Sequence, residues 1–564
     1  MKPAPRRWSL STAEPLPGYH PVLGRVLAAR GHDAASAIAF LDPEAGDHDP
    51  FGLPGMRAAV DTVAAAVAAG ELIAIYGDYD ADGVTACAML TRALRSAGAA
   101  VRPYIPNRMS EGYGLHAAAL EDLATEGVGC VITVDCGTSS VAVAAGRPRG
   151  MRLVVTDHHL PLAPDGGAPQ LAPVDALVNP KLPGSEYPFD GLAGAGVAFK
   201  LVQGLEAAGV VPPGSADRAV GLAALGTIAD MMPLRGENRR IVRHGLPRIA
   251  DLAGLRTLCD AAGLSQPLQA SDVAFGVGPR INAAGRMEDA RLALQLCLSD
   301  SAEEARVLAA QLDEQNRQRQ QAVAVALASA EARVAELDDT TPAIVLADPG
   351  WPMGIVGLVA GRLVERYARP AFIVCLDAVE AKGSARSVSG VHMVQALDGA
   401  APALLRYGGH AAAAGFSLEP SRFDAFRELV TAAVAAQLNG AERERVYAID
   451  CEISPADATP SLCHALMELE PCGQGAPQPL LALRGARVLG ASTFGADAQH
   501  VRVVLAGSVG VLEAVAFHKP RLSGHLPRGR QVDACFTLDL DTFQGQDRVR
   551  ARLRDLRPAL ASPA

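Results

Sequence analysis

The chain has 564 residues, of which 49% are hydrophobic and 20% are charged, and its formal net charge is −10. The length predicts about three or four domains, and the composition is typical of a soluble globular protein. The lack of any run of about 18 strongly apolar residues excludes a membrane-spanning helix. The negative net charge argues mildly against nucleic-acid binding, although a groove could still be locally basic.

The amino terminus and the cysteines both bear on where the protein works. The segment MKPAPRRWSLSTAEPLPGYH has basic residues but no apolar core after them, so we expect no secretory signal. The ten cysteines are scattered and form no C-x-x-C pair, which argues against a zinc ribbon or a disulfide framework. This usage predicts a reducing, cytoplasmic location.

The first half of the chain has the pattern of a parallel α/β domain. Residues 1–50 are predicted to be an irregular N-terminal extension with one short helix near AASAIAFL. Residues 51–300 alternate short apolar runs with alanine-rich helical patterns. Three of these runs, ELIAIYG, GCVITVDCG and MRLVVTDHH, end in carboxylate-bearing motifs. Strands separated by helices predict βαβ units.

The second half contains three further segments. Residues 301–338 lack Pro and Gly and carry apolar residues at helical spacing, which predicts a long connector helix. Residues 339–442 repeat the α/β pattern, with PAIVLAD and PAFIVCL as strands. Residues 443–564 have short apolar runs separated by turns, which predicts a small all-β barrel or sandwich.

The segment IYGDYDADGVTA raises the question of a metal site. Its Asp78, Asp80 and Asp82 precede Gly83 as in the first half of a calcium-binding EF-hand loop. That loop needs a bidentate Glu at its twelfth position and a helix before it, whereas this chain has Met89 there and a buried strand before it. What remains is a strand that ends in carboxylates, at the edge where open α/β folds bind ligands.

Further acidic and imidazole side chains follow the other predicted strands. Asp135 follows the second strand, the triplet Asp157, His158 and His159 follows the third, and Asp230 follows an apolar helix. Carboxylate and imidazole groups on one sheet edge suit a pair of Mn²⁺ or Mg²⁺ ions. Two ions about 3.5–4 Å apart are a recurring device for phosphoester hydrolysis.

A simpler interpretation exists for each residue alone. An aspartate at a strand end is more often a helix N-cap than a metal ligand, and adjacent histidines are often polar surface residues. Asp-rich ends on three successive strands, with a fourth aspartate after an apolar run, are hard to obtain by chance. We therefore interpret the set as a metal site.

The ordered motifs resemble those of a known family. DYDADG, VDCG, TDHH and GTIADMMPL are similar to the four motifs of the DHH phosphoesterases. PNRMSEGYGL, GPRINAAGRM, YGGHAAAAGFS and ELEPCGQGAPQP resemble segments of the RecJ exonucleases within that family. The resemblance implies an α/β fold with a parallel-sheet DHH domain at 51–300. A long helix would join it to a smaller α/β DHH-associated domain at 339–442, followed by a β-rich OB-type domain at 443–564.

The resemblance also implies the roles of the acidic motifs. Asp135 would bridge two Mn²⁺ or Mg²⁺ ions, His159 would contact the scissile phosphate, and Asp157 would orient the imidazoles. The resemblance leaves open whether Asp78 is a direct metal ligand or anchors the site from outside the ligands. The implied metal ligands are Asp78, Asp80, Asp82, Asp135, His158 and Asp230.

A second set of residues is expected to hold the substrate. Arginine suits bidentate phosphate contacts, although each arginine could instead form a surface ion pair. The resemblance implies that the DHH-associated domain faces the metal site and binds the terminal 5′ phosphate. The residues expected to bind nucleic acid or phosphate are Arg108, Arg280, Asn282, Arg286, Ser384, Arg386 and His410.

The β-rich tail is a candidate platform for a single strand. Core packing is the favoured interpretation for Phe517. Arg548, Arg550 and Arg552 alternate, which suits one face of a strand, and either a basic groove or a solvated edge strand would explain them. The aromatic residues that could stack on bases are Phe494, Phe517 and Phe543.

The implied function is a metal-dependent, single-stranded-DNA-specific 5′→3′ exonuclease of DNA repair and recombination, releasing 5′ mononucleotides. Family partners would be a RecQ-type helicase and single-strand-binding protein, and a monomer without membrane association is expected. One alternative is a small-substrate enzyme such as an oligoribonuclease, a cyclic-dinucleotide phosphodiesterase or a pyrophosphatase, which would not need the connector and tail. Another is a non-catalytic DNA-binding scaffold, which the complete set of ligand positions disfavours.

Overall fold

A computed structural model describes residues 1–108, 110–163, 167–440, 444–543 and 546–559. The chain divides into two compact units. The small unit comprises Met1–Trp8, Arg286–Asp289 and Gln311–Tyr447. The large unit comprises Ser9–Gly285, Ala290–Ala310 and Ala448–Ala564.

Strands and helices alternate up to about residue 440, and strands dominate beyond it. The described strands are β1 (Arg6–Leu10), β2 (Leu72–Tyr76), β3 (Val101–Tyr104), β4 (Val128–Val134), β5 (Arg152–Thr156), β6 (Ala176–Val178), β7 (Ile344–Asp348), β8 (Ala371–Cys375), β9 (Ala381–Arg386), β10 (Arg406–Gly409), β11 (Ala413–Leu418), β12 (Arg445–Ile449), β13 (Cys451–Glu452), β14 (Leu481–Phe494), β15 (His500–Ala506), β16 (Val511–Ala516), β17 (Gln531–Phe543) and β18 (Gln546–Pro558). The described α-helices are α1 (Pro21–Ala29), α2 (Ala34–Leu41), α3 (Met56–Ala68), α4 (Ala81–Ser96), α5 (Ala117–Thr125), α6 (Val141–Ala145), α7 (Gly194–Ala207), α8 (Ser215–Ala229), α9 (Gly236–Gly245), α10 (Ala253–Ala261), α11 (Ala270–Asp272), α12 (Gly278–Met287), α13 (Arg291–Leu298), α14 (Ala302–Glu336), α15 (Val356–Tyr367), α16 (Met393–Asp398), α17 (Phe423–Leu438) and α18 (Pro460–Met467).

The large unit contains the predicted parallel sheet, with the strand order β3-β2-β4-β5-β6. Its strands are short apolar runs such as LIAIY in β2, which are buried as expected for parallel strands covered by helices. Tyr76 pairs with Thr133, and Val134 pairs with Thr156. The carboxyl ends of β2, β4 and β5 therefore reach one edge of the sheet.

Helices bring further residues to that edge or extend away from it. α4 begins at Ala81, within the acidic motif that follows β2, and α8 ends at Ala229, one residue before Asp230. The predicted long helix is confirmed as α14, a single helix of 35 residues and about 50 Å. Among the described residues, no helix combines the length and the apolar character that crossing a membrane requires.

The tail forms the predicted β-rich domain. Its strand order is β13-β14-β15-β16-β18-β17, and β14 also pairs with β17, so the sheet closes into a barrel. β18 has β16 on one side and β17 on the other. In the described pairings only Ala551 and Arg552 of β18 face β16, so the edge-strand interpretation is wrong for Arg552. Arg548 and Arg550 pair with β17 alone, and for them both interpretations stay open.

The N-terminal extension is more regular than the sequence predicted. Besides the expected helix α2, it contains β1 and the nine-residue helix α1. Val22, Leu23, Val26 and Leu27 of α1 are buried in the same hydrophobic cluster as the core of the barrel. The sequence did not reveal this, because α1 is short and its apolar face is covered by residues more than 400 positions away.

The small unit is built on a mixed sheet with the order β10-β11-β9-β8-β7. β7 and β8 are parallel, and the remaining neighbours are antiparallel. Phe372, Phe416 and Phe426 lie together in its core, with the ring centroids of Phe416 and Phe426 4.7 Å apart.

Replacing Phe372 by Ala is expected to destabilise the small unit by about 3–5 kcal/mol, because it empties a fully buried position between two other rings. Urea-dependent proteolysis with mass spectrometry would locate the unfolding. Val379→Ala, at a position that is 83% exposed in the same unit, should change stability by less than about 0.5 kcal/mol. Equal stability of the two variants would contradict this packing.

Candidate metal centre

The acidic motif after β2 is fixed by hydrogen bonds at two helix ends. Asp80 caps α4, and its Oδ1 accepts from the N–H groups of Asp82 (2.9 Å) and Gly83 (3.1 Å). The Asp82 carboxylate accepts from the N–H groups of Gly194 (2.7 Å) and Ala195 (2.8 Å) in the first turn of α7. A helix N-terminus favours an anion, so these bonds hold the buried carboxylate at a defined position and oppose the rise in its pKa that burial causes.

Asp135 lies one residue beyond β4 in a strained backbone conformation. Its φ is 63°, in the left-handed region that few residues other than glycine adopt, although Asp tolerates it better than most. Its N–H donates to the carbonyl of Thr156 on the neighbouring strand at 3.0 Å. The strain costs about 1–3 kcal/mol, and it turns the buried carboxylate into the edge of the sheet.

Asp157 organises the triplet that follows β5. Its Oδ1 accepts from the backbone N–H groups of His158 (2.7 Å) and His159 (3.1 Å) and from Nδ1 of the His159 ring (2.8 Å). Its Oδ2 accepts from the N–H of Thr138 at 2.9 Å. Burial alone would raise the pKa of Asp157, but the hydrogen bond from His159 and the charge of that ring outweigh it and place the pKa well below its usual range.

The pKa values of the two histidines are shifted in opposite directions. Burial alone would lower the pKa of His159, yet the hydrogen bond with Asp157 and its charge raise it. Burial and the neighbouring His159 lower the pKa of His158 to about 3, so this ring is neutral. His158 donates from Nδ1 to the carbonyl of Leu192 at 3.1 Å, which leaves the lone pair on Nε2.

That Nε2 lone pair points into the carboxylate cluster. It lies 3.1 Å from Oδ1 of Asp135, 3.7 Å from Oδ2 of Asp230 and 3.9 Å from Oδ2 of Asp82. Two acceptor atoms 3.1 Å apart repel each other unless a proton or a metal cation lies between them. The arrangement therefore fits a metal-binding imidazole.

The carboxylates also repel one another. Burial, followed by the charge of Asp80, raises the pKa of Asp82 to about 7, and burial, followed by the charge of Asp82, raises the pKa of Asp230 to about 9. Burial and neighbouring carboxylates raise the pKa of Asp78 and Asp135 as well. Such a cluster is stable in its ionised form only when cations offset the charge.

The residues present fit a pair of divalent cations. Asp135 and His158 each belong to two groups of donor atoms, and only the carboxylate has a second donor atom with which to bridge, because Nδ1 of His158 donates to Leu192. Oδ1 of Asp135 and Oδ1 of Asp78 are buried and accept no hydrogen bond from the described residues. Oxygen and imidazole donors suit Mn²⁺ and Mg²⁺. The groups whose donor atoms lie within 4.8 Å of one another are Asp78 with Asp80 and Asp135, Asp82 with His158 and Asp230, and Asp135 with His158 and His159.

Two glycines allow helices to approach this cluster closely. A Cβ on Gly194 would lie 2.6 Å from Oδ1 of Asp135, and a Cβ on Gly226 would lie 2.7 Å from Oδ1 of Asp82. Any larger residue would displace these carboxylates. No sequence pattern marks either glycine, because only the tertiary structure brings them beside the metal motifs.

Two further side chains support the metal-site residues without having been predicted from the sequence. The Tyr113 hydroxyl lies 3.1 Å from Nδ1 of His159 and donates to the carbonyl of Asp135 at 3.4 Å. Asn179 donates from Nδ2 to the carbonyl of His159 (2.8 Å) and to the hydroxyl of Thr138 (2.9 Å). Tyr113 lies within the motif PNRMSEGYGL, so the sequence offered a signal that could have identified it. Asn179 lies in none of the motifs.

Two predicted phosphate-binding residues lie beside the acidic motif. The guanidinium of Arg108 is 4.9 Å from the centroid of the Tyr79 ring, and its charge opposes the rise in the pKa of Asp78. The Asn282 Oδ1 accepts from the N–H of Ala81 at 2.9 Å and so supports the start of α4. Arg280 is directed differently, since it donates from Nη1 to the carbonyl of Gly276 at 2.8 Å.

The other predicted phosphate-binding residues belong to the small unit. Arg386 donates from Nη1 to the hydroxyl of Ser384 at 2.9 Å. A Cβ on Gly357, in the first turn of α15, would lie 2.9 Å from both side chains, so they cover the start of this helix. Arg286 donates to the carbonyl of Gly354, just before the same helix, at 3.2 Å.

His410 lies in the turn between β10 and β11. Its N–H donates to the carbonyl of Ala413 at 2.8 Å, and Ala413 pairs with Arg386 in the sheet. The exposed imidazole therefore belongs to the same part of the small unit as Ser384 and Arg386.

The barrel carries an aromatic cluster formed by Phe494, His500, Phe517 and His518, called here the tail aromatic cluster. Ring centroids lie 5.3 Å apart for Phe494 and His500, and 5.1 Å apart for His500 and Phe517. Phe517 is 39% exposed, so the expectation that it packs in the core is wrong. The side chain of Phe543 lies outside the described residues.

Basic residues border this cluster. The Arg502 guanidinium lies 5.7 Å from the centroid of the Phe494 ring, and that of Arg552 lies 5.8 Å from the centroid of Phe517. Arg552 also forms an ion pair with Asp539 on β17, and Arg502 forms one with Glu513. The positive charge here is therefore local and partly neutralised.

Comparison with known families matches three parts of the chain. Residues 72–227 match the DHH family, N-terminal domain, and residues 340–436 match the DHHA1 domain. Residues 449–555 match the RecJ OB domain. These segments contain most of the parallel sheet, the mixed sheet and the barrel, respectively.

Curated relatives match along most of the chain. The single-stranded-DNA-specific exonuclease RecJ of Bacillus subtilis is 34% identical over 543 residues, which cover 95% of this chain and 68% of the relative. The protein of the same description from Thermus thermophilus is 39% identical over 493 residues, which cover 85% of this chain and 69% of the relative.

A solved structure shows the same architecture. The crystal structure of RecJ from Thermus thermophilus in complex with Mn²⁺ aligns with a TM-score of 0.82 and 32% identity, over 99% of this chain and 80% of that chain. A further crystal structure, of exonuclease RecJ bound to manganese, has a TM-score of 0.59 and 39% identity, and it covers 68% of this chain and 95% of that chain.

Proposed function

The chain belongs to the RecJ family of single-stranded-DNA-specific exonucleases, and on that premise we propose that it degrades single-stranded DNA from the 5′ end to mononucleotides in DNA repair and recombination. The observation that carries the proposal is the cluster of buried carboxylates around the neutral Nε2 of His158. Such a cluster serves phosphodiester hydrolysis, because the reaction needs positive charge beside the phosphate and an activated water.

The cluster is proposed to hold two Mn²⁺ or Mg²⁺ ions, with Asp135 shared between them because its carboxylate belongs to two donor groups. Bound there, the cations would polarise the phosphate and lower the pKa of a coordinated water. The residues proposed to hold them are Asp78, Asp80, Asp82, Asp135, His158 and Asp230.

The surrounding residues have separate proposed roles. The carbonyl of Leu192 fixes the tautomer of His158, so that Nε2 faces the carboxylates. Asp157 favours the protonated form of His159, and the side chain of His159 is 48% exposed, so this ring can contact the scissile phosphate and give its proton to the leaving oxygen. The Tyr113 hydroxyl contacts the same ring nitrogen as Asp157 and is proposed to help orient the ring.

The phosphate-binding residues of the small unit are proposed to hold the 5′ end. Ser384 and Arg386 combine a hydroxyl and a guanidinium over the first turn of α15, whose N–H groups also favour an anion. His410 adds a third donor from the adjacent turn. Arg108, Arg280, Asn282 and Arg286 complete the proposed set of nucleic-acid contacts.

The tail aromatic cluster is proposed to bind the strand further from its end. Replacing Phe494 or Phe517 by Ala should each weaken binding of a single-stranded oligonucleotide by about 1–3 kcal/mol, because each removes one stacking surface. Fluorescence anisotropy measures this directly. Val509→Ala, at an exposed position of the same domain, should leave affinity unchanged, and a similar loss in that control would contradict stacking.

Partners and location are part of the same proposal. An enzyme that acts on single strands needs another activity to expose them, so we expect a RecQ-type helicase and single-strand-binding protein to work with a monomer of this chain. The ten cysteines, all within the described residues, are unpaired, which supports a cytoplasmic location.

Degradation of end-labelled oligonucleotides tests the proposed activity. With Mn²⁺ or Mg²⁺, a 5′ label should appear in mononucleotides before a 3′ label does, and a blunt duplex should be degraded far more slowly than a single strand. Release of the 3′ label first, or equal rates on both substrates, would refute the polarity or the strand preference.

A further inference from the structure

One short segment supports two of the metal-site residues through its backbone alone. Between Gly191 and Ala195, the carbonyl of Leu192 accepts from Nδ1 of His158, and the N–H groups of Gly194 and Ala195 donate to Asp82. No side chain of the segment takes part in these bonds. The position of its backbone therefore sets the direction of both ligands.

Asn238 joins this segment to the loop that follows Asp230. Its side chain is fully buried in the first turns of α9, and Nδ2 donates to the carbonyl of Gly191 at 2.6 Å. The same Nδ2 donates to the carbonyl of Pro233, three residues after Asp230, at 3.1 Å. One amide group thus links the backbones beside three ligands, although it touches none of them.

We infer that Asn238 is a positioning residue that sets the spacing between Asp230 and the pair formed by His158 and Asp82, and so tunes the affinity for divalent cations. The inference rests on the proposed metal site. Residues that orient metal ligands typically change metal affinity or activity by about 10–100-fold when they are replaced.

The residue before Asn238, Glu237, forms buried contacts away from the metal site, and its partner Tyr187 provides a matched control. Glu237 is also buried, but it pairs with Nζ of Lys200 (2.7 Å) and accepts from the hydroxyl of Tyr187 (2.7 Å). Tyr187→Phe removes one buried hydrogen bond from the same layer and leaves both bonds of Asn238 intact. It separates a general loss of stability from a specific effect on the metal site.

The test measures binding of Mn²⁺ by calorimetry and the Mn²⁺ dependence of nuclease activity. Asn238→Leu, which keeps the side-chain shape but removes both donors, should raise the Kd for Mn²⁺ by about 10–100-fold. Its activity should recover to within a few-fold of the wild type when Mn²⁺ is saturating. Tyr187→Phe should keep the wild-type Kd.

The outcomes separate the inference from the proposed function. If the wild-type chain binds no Mn²⁺, the proposed metal site itself fails. If the wild type binds Mn²⁺ and Asn238→Leu has the same Kd within twofold, the positioning role is overturned. A lower rate at saturating Mn²⁺ with an unchanged Kd would also overturn it.

A second measurement applies even if Asn238→Leu does not fold. Hydrogen exchange of the wild-type chain should show that added Mn²⁺ protects residues 192–195 and 231–236 together, because the Asn238 amide joins the two segments. Protection of one segment without the other would refute the link.

Discussion

The Asp135→Asn variant is expected to fold normally and to lose at least about 10³-fold in kcat on single-stranded DNA, equivalent to about 4 kcal/mol of transition-state stabilisation. Asp135 belongs to two groups of donor atoms, and its Oδ1 is buried without a hydrogen bond from the described residues. Asn keeps the size of the side chain but removes the charge that would bind two cations at once. The rate of mononucleotide release at saturating Mn²⁺ measures the loss.

A matched control is available on the same domain. Asp122→Asn makes the same chemical change at an exposed position of α5, and it should leave kcat within twofold of the wild type. Circular dichroism and thermal unfolding should show that Asp135→Asn is folded. If this variant keeps more than a tenth of the wild-type activity, Asp135 does not bridge the metal ions.

The Asp157→Asn variant is expected to lose about 10–100-fold in kcat, because it disturbs a residue that orients metal-site side chains. The carboxylate accepts four hydrogen bonds, one of them from the N–H of Thr138 to Oδ2. An amide must direct its NH₂ group toward an existing donor, either Thr138 or the histidine N–H groups. His159 would lose the charge that raises its pKa, so single-turnover rates should fall more than substrate affinity.

Asp175→Asn provides the comparison for a structural aspartate. Asp175 accepts from the N–H of Leu153, toward the opposite end of β5, at 2.8 Å. It should lower stability without changing the single-turnover rate. Equal effects of both substitutions on that rate would mean that Asp157 acts only through stability of the sheet.

The positions of the metal-site residues could be predicted because local patterns place them. Each of β2, β4 and β5 is an apolar run with a carboxylate motif at its end, and parallel strands share one edge. The simpler interpretation as a helix cap also holds for Asp80, which caps α4 while it belongs to a donor group. Capping and metal binding are compatible for one carboxylate, since each uses different lone pairs.

The supporting contacts could not be predicted, because they join segments that are distant in sequence. The bonds from Gly194 and Ala195 to Asp82 span more than 110 residues, and Asn238 acts through backbone carbonyls that carry no sequence signal. The packing of α1 into the barrel and the place of β18 between two strands depend on the same long-range order.

The exposure of Phe517 could be predicted only in part from the alternation of side chains along β16. Leu512, Ala514 and Ala516 are buried on one face of the strand. Phe517 has the same parity as the exposed Glu513, and side chains alternate between faces with a period of two. Val515 also has this parity and is buried, so alternation alone left the direction of the Phe517 ring undecided.

Anomalous diffraction from crystals grown with Mn²⁺ tests the central claim most directly. We predict two peaks about 3.5–4 Å apart in the carboxylate cluster, with Asp135 contacting both and Nε2 of His158 contacting one. The same crystals of Asp135→Asn should lose at least one peak. Mn²⁺ bound elsewhere in the chain, with the cluster free of anomalous signal, would contradict the account.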